Sequence, residues 1–190
     1  GAGYIGSHVV RVLRERGDDV LIVDDLVTGV PERNPAVDLV EMDVAHSTSV
    51  EALARLFTER DVTAVIHFAA RKQVGESVAK PAWYYSENVG GLANVLLAME
   101  RMGVGRIIFS SSAAVYGDAG GTVTESAPKV PTSPYGETKL VGEWLLNTAA
   151  TAQSLDAISL RYFNVAGAGW PELGDKMALN LVPMVFERLD

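Results

Sequence analysis

Short apolar runs rich in β-branched residues alternate with helical patterns along the whole sequence, and this rhythm narrows the possible folds more than any single motif does. Residues 4–16 carry Ile5, Val9, Val12 and Leu13 at helical spacing and stop at Gly17; Val20, Leu21, Ile22 and Val23 then read as a buried strand. Strands are expected at 39–42, 64–68, 106–109 and 157–160, and helices at 49–60, 83–102 (stopped by Gly103) and 134–152. Neighbouring parallel strands need a long crossover, which a helix of a dozen residues supplies, so the pattern predicts an α/β fold with a doubly wound parallel sheet. In such a sheet ligands sit beyond the strand C-termini.

Two stretches break the rhythm. The segment 117–133, with Gly120, Gly121, Pro128 and Pro131, is long for a passive connection and is expected to cover a site. From Ala166 onward Gly167, Gly169, Pro171 and Gly174 mark a second irregular region that leads to a final helix.

Composition removes several functions from consideration. The chain has 190 residues and a net charge of −8, with 48% hydrophobic and 21% charged residues, enough for one folded core and unsuited to a nucleic-acid or anionic-membrane surface. No apolar run approaches the roughly 20 residues of a membrane span. With no Cys and three scattered His, disulfides, thiol nucleophiles and a metal site are not expected. Both ends read as cut: the chain starts without Met in a glycine turn, so something is expected to precede it, and it stops in an amphipathic run at 185–190; these residues contain no targeting segment, and the expected location is the cytoplasm.

Gly1, Ala2, Gly3, Tyr4, Ile5 and Gly6 match GxGxxG, whose glycines allow a tight turn and close backbone approach to a pyrophosphate at a helix N-terminus. Asp24 closes the next strand 18 residues beyond Gly6, where a carboxylate would accept hydrogen bonds from a ribose and repel a 2′-phosphate, favouring NAD over NADP. The other reading is that Asp24 and Asp25 begin a turn. Residues 1–165 are accordingly expected to form a dinucleotide-binding domain, and 166–190 to open a substrate-binding lobe.

Tyr135 and Lys139, four apart near a helix start, share one face. A free phenol with pKa about 10 is a poor base, and a cation held beside it would lower that value. Ser110, Ser111 and Ser112 follow the strand at 106–109, which puts hydroxyls at a strand C-terminus; Ser112 can hydrogen-bond a sugar oxygen, or the serines can cap a loop. His67 follows a buried strand and is expected to be packed rather than acid or base.

These residues, with Val23 to Leu26, His67 to Ala70, Phe109 to Gly117, Ser133 to Gly136 and Leu160 to Asn164, resemble the extended short-chain dehydrogenase/reductases, and among them the UDP-glucose 4-epimerases, across nearly all 190 positions. The resemblance implies Ser112, Tyr135 and Lys139 as the catalytic set, with Tyr135 as base. It implies NAD bound by Gly3, Tyr4, Ile5, Gly6, Asp24, Asp43, Phe68, Ala69, Ala70, Lys72, Asn88, Ser110, Tyr135, Lys139 and Tyr162. The UDP-sugar substrate would be bound by Ser112, Tyr135, Asn164 and Asn180. Asn88 and Asn180 could instead satisfy backbone groups. The implied reaction inverts C4 of a UDP-hexose by transient hydride transfer to bound NAD. A related epimerase of UDP-N-acetylhexosamines, uronic acids or pentoses, a dinucleotide sensor and a non-catalytic NAD-binding fragment remain as alternatives. Similar enzymes that also eliminate water carry an Asp-Glu pair after the catalytic hydroxyl; this chain has Ala113 and Ala114, whose methyl groups transfer no protons. The resemblance further implies a first strand before Gly1 and a C-terminal substrate lobe, both lacking here, and a homodimer formed through the helices at 83–102 and 134–152.

Overall fold

The computed structural model describes residues 1–175 and 181–189. They gather into two units, one of Gly1–Asp43 with the chain from Asn164 and one of Val44–Phe163.

In the first unit α1 (Tyr4–Arg16) buries Gly6, Ser7 and Val10, and Val10 packs with Ala2 and Ile22 in a small core that Val20, Leu26, Val37 and Leu39 enlarge. Its C-terminus closes on Gly17 at φ 93°, where the Gly17 and Asp18 N–H groups donate back to Arg14 and Leu13 at 3.0 Å each. Only glycine takes that left-handed conformation without strain. β1 (Leu21–Asp24) pairs in parallel with β2 (Asp38–Glu41), Leu21 opposite Asp38 and Asp24 opposite Glu41. The later chain is tied to this unit by polar and aromatic contacts. Arg33 donates to the Gly174 carbonyl at 3.0 Å, and the Arg11 guanidinium lies 5.4 Å from the Trp170 ring centroid. A final helix spans Leu181–Glu187.

The second unit holds a sheet of order β3-β4-β5, all parallel: β3 (Val65–His67), β4 (Arg106–Ser110) and β5 (Asp156–Leu160). Its register sets His67 opposite Phe109, and Ser110 opposite Leu160. The central strand buries Ile107 and Phe109, each 2% exposed. α2 (Ser49–Glu59) presents Val50, Leu53, Ala54 and Phe57 and packs against α5 (Gly91–Met102), which buries Leu92, Val95, Leu96, Ala98 and Met99. α6 (Pro134–Gln153) lies so close to the sheet that a Cβ on Gly142 would stand 2.7 Å from the Phe109 ring.

The helix expected at 83–102 is an unbroken helical run, α4 (Pro81–Tyr85) passing through a π-turn at Ser86–Gly90 into α5, and a short α3 (Val74–Ala79) precedes it. The apolar spacing is the same on both sides of the π-turn, which is why the pattern read as continuous; the extra residue turns Asn88 into the interior, where it is 5% exposed. Because all three strands run the same way, their C-termini share one edge, and the segments after His67, Ser110 and Leu160 emerge there side by side.

Candidate active site

In the first unit the glycine turn is sterically exacting at Gly6, where a Cβ would lie 2.7 Å from the Gly1 carbonyl oxygen and 3.0 Å from its Cα. At Gly3 a Cβ would meet nothing within 4 Å, so the turn is open on that side. Gly3 is the N-cap of α1; no side chain caps the helix and its first turn carries no acid. Uncapped N–H groups at an open helix start form an anion-receptive surface. Ile5 is half-buried, and the Tyr4 hydroxyl donates to the Gly167 carbonyl.

Asp24 braces this turn. Its Oδ2 accepts from the Gly1 nitrogen at 2.8 Å and the Ala2 N–H at 2.9 Å, and its Oδ1 accepts from the Leu26 N–H at 3.0 Å. Asp25 likewise accepts from the Val27 N–H at 3.2 Å. Both aspartates therefore shape the turn, and Oδ1 of Asp24 keeps capacity for a further donor. Asp43 is exposed just after β2, and Asn164 is exposed within this unit. Asn180 lies outside the described residues.

The catalytic candidates lie together in the second unit. Ser133 caps α6, its hydroxyl accepting from the Gly136 N–H at 3.2 Å, with Pro134 in the first turn; this places Tyr135 and Lys139 one turn apart. Lys139, 3% exposed, donates from Nζ to the Ser110 carbonyl at 2.9 Å and stands 5.1 Å from the Phe109 centroid and 5.9 Å from that of Tyr135. Burial lowers its pKa to about 8. The Ser112 hydroxyl accepts from the Ala114 N–H at 3.1 Å, capping the 3₁₀ turn Ala113–Tyr116, and also interacts with the Tyr135 phenol. Tyr162 meets Ser110 hydroxyl to hydroxyl.

The expected lowering of the Tyr135 pKa does not appear. Its phenol is raised, first by burial and also by the neighbouring Tyr162 phenol, while Ser112 works to lower it. Lys139 is committed to a carbonyl and is itself destabilised as a cation, so burial wins over its attraction. His67 is buried and stacked on Phe109 at 6.0 Å; burial, then the Lys139 charge, depress its pKa to about 3, so it is neutral.

Beyond β3, Phe68 and Ala70 are half-buried, while Ala69 and Lys72 are exposed. The Asn88 side chain is engaged on three sides: its oxygen accepts from the Arg71 N–H at 2.7 Å, and its amide donates to the Arg71 carbonyl and to Thr138 Oγ1 at 3.0 Å each. Thr138 in turn donates to the Tyr135 carbonyl at 2.8 Å. Asn88 thus clamps the segment after β3 to the start of α6.

Sequence reasoning gave no individual role to Ser111, Glu143 or Arg161, which are joined in a polar cluster around the buried Glu143 carboxylate. A signal was present: Glu143 follows Lys139 by four residues and so shares the face that carries Tyr135 and Lys139.

A model of the NAD dependent epimerase/dehydratase family matches residues 1–189. The chain is 41% identical over 170 residues to a UDP-glucose 4-epimerase of Lacticaseibacillus casei, which covers 88% of this chain and 50% of that protein. It is 42% identical over 191 residues to one of Corynebacterium glutamicum, covering 98% and 56%. Among solved structures, the UDP-glucose 4-epimerase of Brucella ovis in complex with NAD aligns at TM-score 0.83 and 40% identity, covering 88% of this chain and 51% of that one. That of Thermotoga maritima with UDP-glucose aligns at TM-score 0.88 and 33% identity, covering 98% and 59%. The chain spans about half the length of the curated relatives it matches. By sequence and by fold it belongs to the NAD dependent epimerase/dehydratase family.

Proposed function

We propose that the whole protein is an NAD-dependent epimerase that inverts C4 of a UDP-hexose, interconverting UDP-glucose and UDP-galactose. The observation that carries this reading is the Ser112, Tyr135 and Lys139 group at the C-terminal edge of a parallel sheet, with Tyr135 half-buried against a serine hydroxyl.

The residues present fit a dinucleotide. The open, uncapped start of α1 suits a pyrophosphate, and the spare capacity of Asp24 suits a ribose hydroxyl. Gly3, Tyr4, Ile5 and Gly6 would hold it there, with Asp43 toward the base; Phe68, Ala69, Ala70, Lys72, Asn88, Ser110, Lys139 and Tyr162 are assigned to the same cofactor. When bound, NAD supplies a reversible two-electron acceptor for the sugar carbon.

Tyr135 takes the proton of the sugar 4-hydroxyl in its phenolate form, a minor species at neutral pH because its pKa is raised, and later returns one to the 4-keto oxygen. Ser112 donates a hydrogen bond to that oxygen and orients it. Lys139, still mostly cationic at neutral pH, favours the phenolate electrostatically while its ammonium is fixed on the Ser110 carbonyl. Asn164 and Asn180 are proposed to contact the UDP-sugar. Ala113 and Ala114 provide neither acid nor base, which favours epimerisation over water elimination. A cytoplasmic homodimer completes the proposal; among the described residues no helix is long and apolar enough to cross a membrane.

The test mixes the whole protein with UDP-galactose and no added nucleotide and follows UDP-glucose. Conversion is expected, and Tyr135→Phe should lose about 100- to 10,000-fold in kcat while retaining NAD. Near-normal turnover by that variant removes Tyr135 from its role; NAD binding without conversion by the unaltered protein points to a sensor.

A further inference from the structure

One buried carboxylate has no part in the mechanism above, yet it stands on α6 and touches the segments that follow β4 and β5. Glu143 is 3% exposed on α6. Its Oε1 accepts from the Ser111 hydroxyl at 2.5 Å and from Arg161 Nε at 2.7 Å, while Oε2 accepts from Arg161 Nη2 at 2.6 Å. Arg161 Nη1 continues to the Tyr116 hydroxyl at 2.9 Å and to the Glu125 carbonyl at 3.0 Å. The hydrogen bond to Glu143 is the main cause that holds the guanidinium well above its ordinary pKa.

Ion pairs of this kind contribute little net stability, because desolvation cancels much of the attraction. Their geometry is another matter, since a forked guanidinium on a carboxylate fixes direction as well as distance. Ser111 immediately precedes Ser112. Arg161 immediately precedes Tyr162, whose carbonyl accepts from the Ala113 N–H at 3.1 Å and whose hydroxyl meets Ser110. Glu143 stands on the helix of Tyr135 and Lys139. Arg161 and Tyr162 also line an open cavity of about 640 Å³.

We propose that Glu143 is the positioning residue of the site, setting Ser112 through Ser111 and Tyr162 through Arg161 against the Tyr135 phenol. The proposal rests on Tyr135 being the base. Among the described residues, Ser112 from the end of β4, Tyr162 from the end of β5 and Lys139 from α6 itself face this phenol. Displacing Ser112 removes a hydrogen-bonding neighbour that lowers the Tyr135 pKa.

The experiment uses Glu143→Gln and Ser111→Ala in the whole protein. Tyr135 is titrated by phenolate absorbance, each protein against its own Tyr135→Phe partner, and UDP-galactose turnover is measured across pH. Both variants should titrate Tyr135 at higher pH than the unaltered protein. They should lose about 10- to 100-fold in kcat with KM for the sugar nucleotide nearly unchanged, since misplacement and not binding is affected. Ser111→Ala keeps the Glu143–Arg161 pair and decides the matter if Glu143→Gln does not fold. A folded Ser111→Ala protein with the unaltered titration and kcat overturns the proposal. If the unaltered protein converts no UDP-sugar, the epimerase reading fails, and the titration alone still reports whether Glu143 places Ser112 against Tyr135.

Discussion

Burial, more than neighbouring charge, sets the protonation of the side chains around the end of β4. His67, with a pKa of about 3 against an ordinary 6.5, stays neutral in the folded protein. Between those values the unfolded chain binds a proton that the folded one refuses, so stability falls as pH drops from 6.5 toward 3, by about 1.4 kcal/mol per unit. His67→Leu should abolish this share of the acid sensitivity, and urea titrations at pH 7 and pH 5 would show the variant losing less stability than the unaltered protein. Lys139 carries the opposite lesson. Its folded pKa of about 8 lies below the ordinary 10.5, so the cost of burying the charge is fully present below pH 8 and is relieved as pH rises toward 10.5. Lys139→Met should therefore raise stability at pH 7, by about 1 kcal/mol after loss of the Ser110 hydrogen bond, while abolishing turnover. A variant less stable than the parent in the same melt would show that the ammonium is better solvated than its surroundings indicate.

Elements are held at distances that particular side chains permit. Gly142 lets α6 approach β4, and Gly142→Ala would bring a methyl group to 2.7 Å from the Phe109 ring and 3.3 Å from Leu92. Overpacking of this kind costs about 1–3 kcal/mol, and the displaced helix carries Tyr135 and Lys139, so denaturant midpoint and turnover should fall together. Retained activity at reduced stability would mean that the helix shifts without turning its catalytic face. At this scale the sequence was readable wherever a strand or helix has a single buried face. The run of Ile22 and Val23, the spacing of Leu53 and Phe57 and the Ser133–Pro134 cap all lie in elements of the expected kind, with ends displaced by a residue or two. The π-turn at Ser86–Gly90 escaped because one added residue leaves the apolar spacing on either side intact. Glu143 and Arg161 escaped because periodicity assigns charged residues to solvent, and only the tertiary meeting of α6 with the end of β5 supplies each with its partner. The lowered Tyr135 pKa was misjudged for a related reason. Spacing put Lys139 beside Tyr135, but spacing says nothing of how deeply both are buried.

Over the 190 residues of this sequence, charge and proposed ligand have the same sign. The chain carries a net −8, and both NAD and a UDP-sugar are anions. The surface offered to the pyrophosphate consists of backbone N–H groups at the start of α1, a helix whose basic residues, Arg11, Arg14 and Arg16, lie in its second half. A local dipole of this kind acts over the first turn only, whereas the repulsion of the net charge reaches about 30 Å at 0.01 M salt and about 8 Å at 0.15 M. Added salt should then screen the repulsion before it weakens the local attraction. NAD affinity, measured by calorimetry between those two concentrations, is expected to stay level or tighten by up to about threefold, mainly through a faster association rate. Affinity that falls steeply with salt would instead show that lysine or arginine side chains hold the phosphates, and would move the anion site away from the glycine turn.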